Sequence, residues 1–141
     1  MTPTQIALVQ ASFERVRPML EPAALMFYAR LFELDPSLRS LFRSPRDAQA
    51  HKLAQALTAV VKGLAHPPQL RGAIEALGRR HAGYGVRAGH YRTVGEALIW
   101  TLDQGLGPAF TPEVRAAWVA AYGWLAFVMR EAAAGAAIEA A

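Results

Sequence analysis

Apolar residues recur every three or four positions along nearly the whole chain, and alternating β-branched runs are missing, so the pattern predicts helices. Four prolines directly follow a residue that caps helices well: Thr2-Pro3, Asp35-Pro36, Ser44-Pro45 and Thr111-Pro112. Proline suits the first helical position because its missing N–H would have no partner there. Pro22 after Glu21 reads the same way. Predicted helices run from about Pro3 to Met19, Pro22 to Leu34, Pro45 to Leu64, Gln69 to Ala82 and Gly89 to Leu106. A short turn of helix covers Pro36 to Leu41, and a last helix runs from Thr111 past Arg130. Breakers close them: His66-Pro67-Pro68, Gly83-Tyr84-Gly85 and Gly107-Pro108. No repeat or linker interrupts the series. The expectation is an all-α domain over 1–141, frayed at 1–3 and about 132–141.

Composition narrows the chemistry more than the fold. The 29 alanines support helices, and 53% hydrophobic with 18% charged residues lies far from disorder. With no Cys there is no disulfide, thiolate ligand or C-x-x-C-H attachment. No apolar stretch approaches a membrane span, and the N-terminus has no signal-peptide layout, so a cytoplasmic protein without a membrane is expected. Ten basic and two acidic residues lie between Arg39 and Arg92, leaving +8 there and −4 elsewhere. That window reads as an anion-facing surface for a carboxylated ligand or an acidic partner. It has no interleaved aromatic platform, which argues against nucleic acid.

Four histidines occur, at 51, 66, 81 and 90, with no H-E-x-x-H, no phosphate loop and no dinucleotide fingerprint. His81 is distinctive. It falls four residues after Leu77 on the stripe of Leu70, Ile74 and Leu77, so an imidazole continues an apolar helix face.

The stretch Leu77 to Glu96, LGRRHAGYGVRAGHYRTVGE, resembles the proximal-histidine segment of globins. Leu106 to Trp118 with Tyr122-Gly123 is similar to the last two helices of neuroglobins and bacterial single-domain haemoglobins. Phe27-Tyr28 to Phe32, Asp35-Pro36 and Leu41-Phe42 resemble the second and third helices of flavohaemoglobin globin domains. Together the likeness covers about Thr4 to Arg130 and implies a globin fold, a three-over-three helical sandwich around non-covalent haem b. His81 would then be the proximal iron ligand, and Phe42 the aromatic wedged against the porphyrin. Neutral imidazole suits that iron.

Gln49 and His51 are both candidates for the distal position. With Gln49 facing the iron, the stripe continues as Leu53, Ala56, Leu57, Val60, Val61 and Leu64, with Lys52 at its margin. With His51 facing it, Gln55 comes one turn later, and an unpaired amide against a porphyrin costs about 1–3 kcal/mol. The clean register favours Gln49, 32 residues before His81 as in bacterial relatives; His51, at 30, stays an alternative. Tyr28 then resembles the tyrosine of a bacterial Tyr/Gln pair, with Leu53 over the ligand.

Lys52, Arg79, Arg80, Arg87 and His90 are candidates for the haem propionates. By the same likeness Leu57, Leu77, Val86, Tyr91 and Val94 line the cofactor pocket. Tyr91 stands where flavohaemoglobins place a tyrosine that joins the proximal His to a glutamate of the last helix. Here the matching position is Ala133, and Glu131 is out of phase by two. The resemblance implies reversible binding of O₂, NO and CO by a monomer or homodimer, with NO dioxygenation if a flavin reductase acts in trans. A six-coordinate redox or gas sensor and a haem-free helical interaction module are the alternatives.

Overall fold

A computed structural model describes residues 1–140, with side chains through 135. Six helices occur among the described residues: α1 Pro3–Val16, α2 Leu20–Leu34, α3 Arg46–Gly63, α4 Pro67–Gly83, α5 Ala88–Leu106 and α6 Pro112–Ala140. Short 3₁₀ turns at Arg17–Met19, Pro36–Leu41 and Gly107–Ala109 join them. The order and placing match the periodicity closely, and no strand occurs among the described residues. Of the stretch 132–141 expected to fray, 132–140 continue α6, while residue 141 and the side chains of 136–141 lie outside the described residues.

The starts follow local chemistry. Thr2 caps α1, its Oγ1 accepting from the Gln5 N–H at 3.1 Å while the Gln5 amide oxygen accepts from the Thr2 N–H at 3.0 Å, which satisfies two otherwise orphaned donors. Asp35 caps the turn after α2, its Oδ1 accepting from the Ser37 N–H at 3.1 Å. Several boundaries shift by one to three residues, two of them instructively. α2 begins at Leu20, two residues before Pro22, because a proline N lacks only a bond that the first turn does not make. Pro45 stands just outside α3 with extended ψ, and Ser44 makes no cap.

Helices α1, α3 and α4 form one layer over α2, α5 and α6, the three-over-three globin sandwich. Its main core gathers Val9, Phe13, Ile74, Leu102, Trp118 and Val128. The buried Trp118 indole N–H donates to Ser12 Oγ at 2.8 Å, tying α6 to α1. A second cluster of Phe27, Tyr28, Leu31, Phe32, Leu38 and Ala97 lies between α2, the following turn and α5.

Two glycines set the helix crossings that matter for the site. A Cβ on Gly78 would stand 2.4 Å from the Met129 carbonyl oxygen, so α4 lies backbone against backbone on α6 one turn before His81. A Cβ on Gly95 would meet the Tyr122 ring at 2.8 Å. Gly78→Ala is therefore expected to destabilise by about 1–3 kcal/mol through overpacking. Gly72, in the same helix, has nothing within 4 Å of its Cβ position, and Gly72→Ala should stabilise by up to about 1 kcal/mol. Urea denaturation of the two variants measures the contrast.

Candidate functional site

His81 projects from the last turn of α4 and is half-buried. Its Nδ1 lies 2.8 Å from the Leu77 carbonyl oxygen. A carbonyl can only accept, so Nδ1 carries the proton and Nε2 is left with a free lone pair. Burial pushes the His81 pKa below its ordinary value; the Leu77 bond works against that shift and neighbouring Arg80 works with it. A neutral imidazole with one nitrogen oriented by a carbonyl and the other unshared is the form that binds a metal.

The chain after His81 turns sharply. Gly85 takes φ +92°, in the left-handed region that suits glycine, and its Cβ position stands 3.5 Å from Leu41 Cδ2. This brings the α4–α5 corner, with half-buried Val86, against the segment that carries Leu41 and Phe42. Phe42 in turn packs edge-on to Tyr28, ring centres 5.2 Å apart. The corner after His81 thus lies beside the Leu41–Phe42 segment, which packs on Tyr28.

Tyr28 is buried among Phe27, Phe32 and Phe42, and its hydroxyl has no hydrogen-bond partner among the described residues. Burial raises its pKa to about 12, so the phenol keeps its proton. A cavity of about 300 Å³ brings Tyr28, Phe42 and Gln49 together. Phe32, Arg39, Ser44 and Arg46 also line it. Sequence reasoning missed these four. The guanidinium groups of Arg39 and Arg46 lie 5.4 and 5.2 Å from the Phe32 ring centre, a contact that only the fold creates. Their membership of the basic window was the one available signal.

His51 does not join that cavity. Its Nδ1 pairs with Glu21 Oε1 at 2.5 Å, and both side chains are more than half exposed. The pair sits in an open groove of about 650 Å³ between the α1–α2 junction and α3. The inward stripe expected on α3 also needs correction. Ala50, Ala54, Val61 and Leu64 are its buried positions, Leu53, Leu57 and Val60 are half-buried, and Ala56 is exposed. Small alanines take the most buried positions of α3's first half, while Leu53 and Leu57 pack at the edges of the two core clusters.

The other expected residues fall as follows. Lys52, Arg79, Arg80 and Arg87 are exposed, while Leu77, His90, Tyr91 and Val94 are half-buried. The Arg87 N–H donates to His90 Nδ1 at 2.9 Å, which leaves the proton on Nε2 as a free donor. The Tyr91 carbonyl oxygen accepts from the Tyr122 hydroxyl. Burial raises the Tyr91 phenol above its usual range, and the nearby positive charge of Arg130 opposes this. Glu131 is exposed. Where a carboxylate relay would stand, the charged neighbour is a cation.

Known proteins agree with this architecture. The Globin family model matches residues 25–129. A flavohemoprotein of Deinococcus radiodurans is 35% identical over 133 residues, 92% of this chain and 33% of that protein. A flavohemoprotein of Bordetella pertussis is 35% identical over 129 residues, 89% of this chain and 32% of that one. The chain thus spans about a third of the length of these relatives. A crystal structure of a hexacoordinated heme protein from an anhydrobiotic tardigrade superposes with a TM-score of 0.84 at 18% identity, covering 94% of this chain and 95% of that one. The match over most of the sequence, with the sandwich that it implies, establishes that the chain belongs to the globin family.

Proposed function

We propose that this chain holds one non-covalent haem b and reversibly binds O₂, NO and CO. The single observation that carries the reading is the His81 Nδ1–Leu77 bond, which leaves Nε2 unshared on a half-buried imidazole. Half-buried Leu53, Leu57, Leu77 and Val94 offer apolar surface that neighbouring helices leave partly uncovered, as a flat apolar group requires. The haem, when bound, supplies the iron at which diatomic gases are held.

The chain's own groups define the rest. His81 donates its Nε2 lone pair from the α4 side. Tyr28 O–H and the Gln49 amide are donors for the far side, where Phe42 and Leu53 exclude water. Lys52, Arg79, Arg80, Arg87 and the His90 Nε2–H suit the two propionates, since cations at an exposed rim hold carboxylates at little desolvation cost. The proximal imidazole leans on a carbonyl and not a carboxylate, which favours reversible binding over strong electron donation.

A further activity rests on the same site: conversion of NO and O₂ to nitrate, which consumes one electron per turnover. Relatives named flavohemoproteins and the cationic window support a separate flavin reductase as the donor. NO consumption, assayed with such a reductase, tests it, and nitrate should appear one for one.

Absorption spectroscopy tests the core proposal. Purified chain should show a Soret band with one haem per chain and form O₂ and CO complexes. His51 is held by Glu21 outside the cavity, so the gas-free ferrous form should be five-coordinate. A six-coordinate ferrous spectrum would support a sensor, and failure to take up haem on reconstitution would support an interaction module.

A further inference from the structure

The bend before α3 gathers positive charge for which a neutral gas has no use. Arg39 and Arg46 each bring a guanidinium to the Phe32 ring, 5.4 and 5.2 Å from its centre. Both line the cavity that Tyr28, Ser44 and Gln49 share. Neither forms an ion pair among the described residues, although Arg17, Arg30 and Arg92 each do. The carboxylates nearest in sequence do not answer them. Asp35 Oδ1 is taken by the Ser37 N–H and hydroxyl, and exposed Asp47 lies outside the cavity lining. Two guanidiniums with no carboxylate between them repel each other, and a bound anion removes that cost.

The aromatic contact leaves both groups ready for such a ligand. A cation over a ring is held by the π face, so its N–H donors stay uncommitted, and their fork matches two oxygens of an oxyanion.

Helix α3 starts at the same place. It runs for 18 residues, and no side chain caps its N-terminus. Its first backbone bond is from the Gln49 N–H to the Pro45 carbonyl oxygen. The N–H groups of Arg46, Asp47 and Ala48 therefore have no acceptor among the described residues, and they form the positive end of the helix. An independent feature points to a ligand there. Tyr28 is only 6% exposed, yet its hydroxyl has no partner and it lines the cavity. The Ser44 hydroxyl also makes no hydrogen bond among the described residues. The polar lining is thus rich in donors and contains no acid.

We infer that the mouth of this cavity binds a free small oxyanion, held by Arg39 and Arg46 with the Ser44 hydroxyl and the α3 N-terminus. The anion site goes beyond gas binding and does not need haem, so either can fail without the other.

Isothermal titration calorimetry of sodium nitrate into the purified full chain at low ionic strength tests this, with circular dichroism as the folding control. One nitrate should bind per chain. Chloride, a single atom that cannot present two oxygens to a guanidinium fork, should bind at least about tenfold more weakly. Arg39→Gln and Arg46→Gln should each weaken nitrate binding at least about tenfold. Arg71→Gln removes the same charge from an exposed position outside the cavity, and solvent screening should keep its effect within about twofold. Haem-loaded chain should bind nitrate as the haem-free chain does. Absence of binding at tens of millimolar nitrate, or equal losses in Arg71→Gln and Arg46→Gln, would overturn the site. Loss of nitrate binding on haem loading would give the two arginines to the carboxylates of the haem and overturn a free-anion site. A chain that takes up no haem but binds nitrate in this pattern would support the anion site while the gas reading falls.

Discussion

His81→Ala is expected to yield a folded helical protein whose affinity for haem is lower by on the order of a hundredfold or more, judging from losses of 10–100-fold when only a ligand's supporting partner is removed. The substitution removes a half-buried side chain whose single hydrogen bond is to its own helix, so the sandwich should survive. What disappears is the unshared Nε2. A second variant separates coordination from packing: His81→Gly opens a cavity of imidazole size, and added imidazole should restore the absorption spectrum without restoring the side chain. Equal haem affinity and an unaltered Soret band in His81→Ala would remove this residue from the site.

The same bond predicts a pH dependence of haem retention. His81 is shifted below its ordinary value of 6.5 because burial opposes its charged form. The unfolded chain therefore takes up a proton at higher pH than the folded chain does, and stability rises with pH across that window. It is fully present above about 6.5 and declines as pH falls through the unfolded value toward the folded one. Protons also compete for Nε2, so loss of haem should steepen in the same direction. Titration of the Soret band of wild-type protein downward from neutral pH measures it, with His90→Gln as a control for the other nearby imidazole.

Helix order was legible because proline, glycine and apolar spacing act locally. Most predicted starts rested on a missing N–H or a side-chain cap, and the structure moves the boundaries by a few residues at most. His81 was legible for a similar reason: an imidazole that interrupts an apolar stripe is visible in one helix. The distal side was less so. Gln49 and His51 lie two residues apart on α3 to either side of buried Ala50, and only the folded chain shows Gln49 at the Tyr28 cavity and His51 beside Glu21. The periodicity that placed Ala56 inward assumed that the leucine stripe was the most buried face. In fact the buried positions in the first half of α3 are the small residues Ala50 and Ala54. Arg39 and Arg46 meet over Phe32 from either side of the bend before α3, a convergence that no local spacing encodes.

Tyr28→Phe should raise the O₂ dissociation rate severalfold while leaving CO dissociation nearly unchanged. The variant is a clean one. Phenylalanine keeps the ring that packs on Phe27, Phe32 and Phe42, and the lost hydroxyl has no protein partner to orphan. With a pKa of about 12 the phenol is a donor at every working pH. O₂ becomes partly anionic when it accepts electron density from ferrous iron, whereas CO stays close to neutral, so a donor discriminates between them. A net hydrogen bond contributes about 0.5–1.5 kcal/mol, equivalent to roughly two- to tenfold in rate. Gln49→Leu should act in the same direction by a similar factor, since the two residues share one cavity. Because both donors address one small ligand, their effects should be less than multiplicative in the double variant. Flash photolysis and stopped-flow dissociation of both gases from the three variants decide the matter. An O₂ rate that Tyr28→Phe does not change would place the hydroxyl outside the ligand's reach, and equal acceleration of both gases would indicate a steric effect in place of a hydrogen bond.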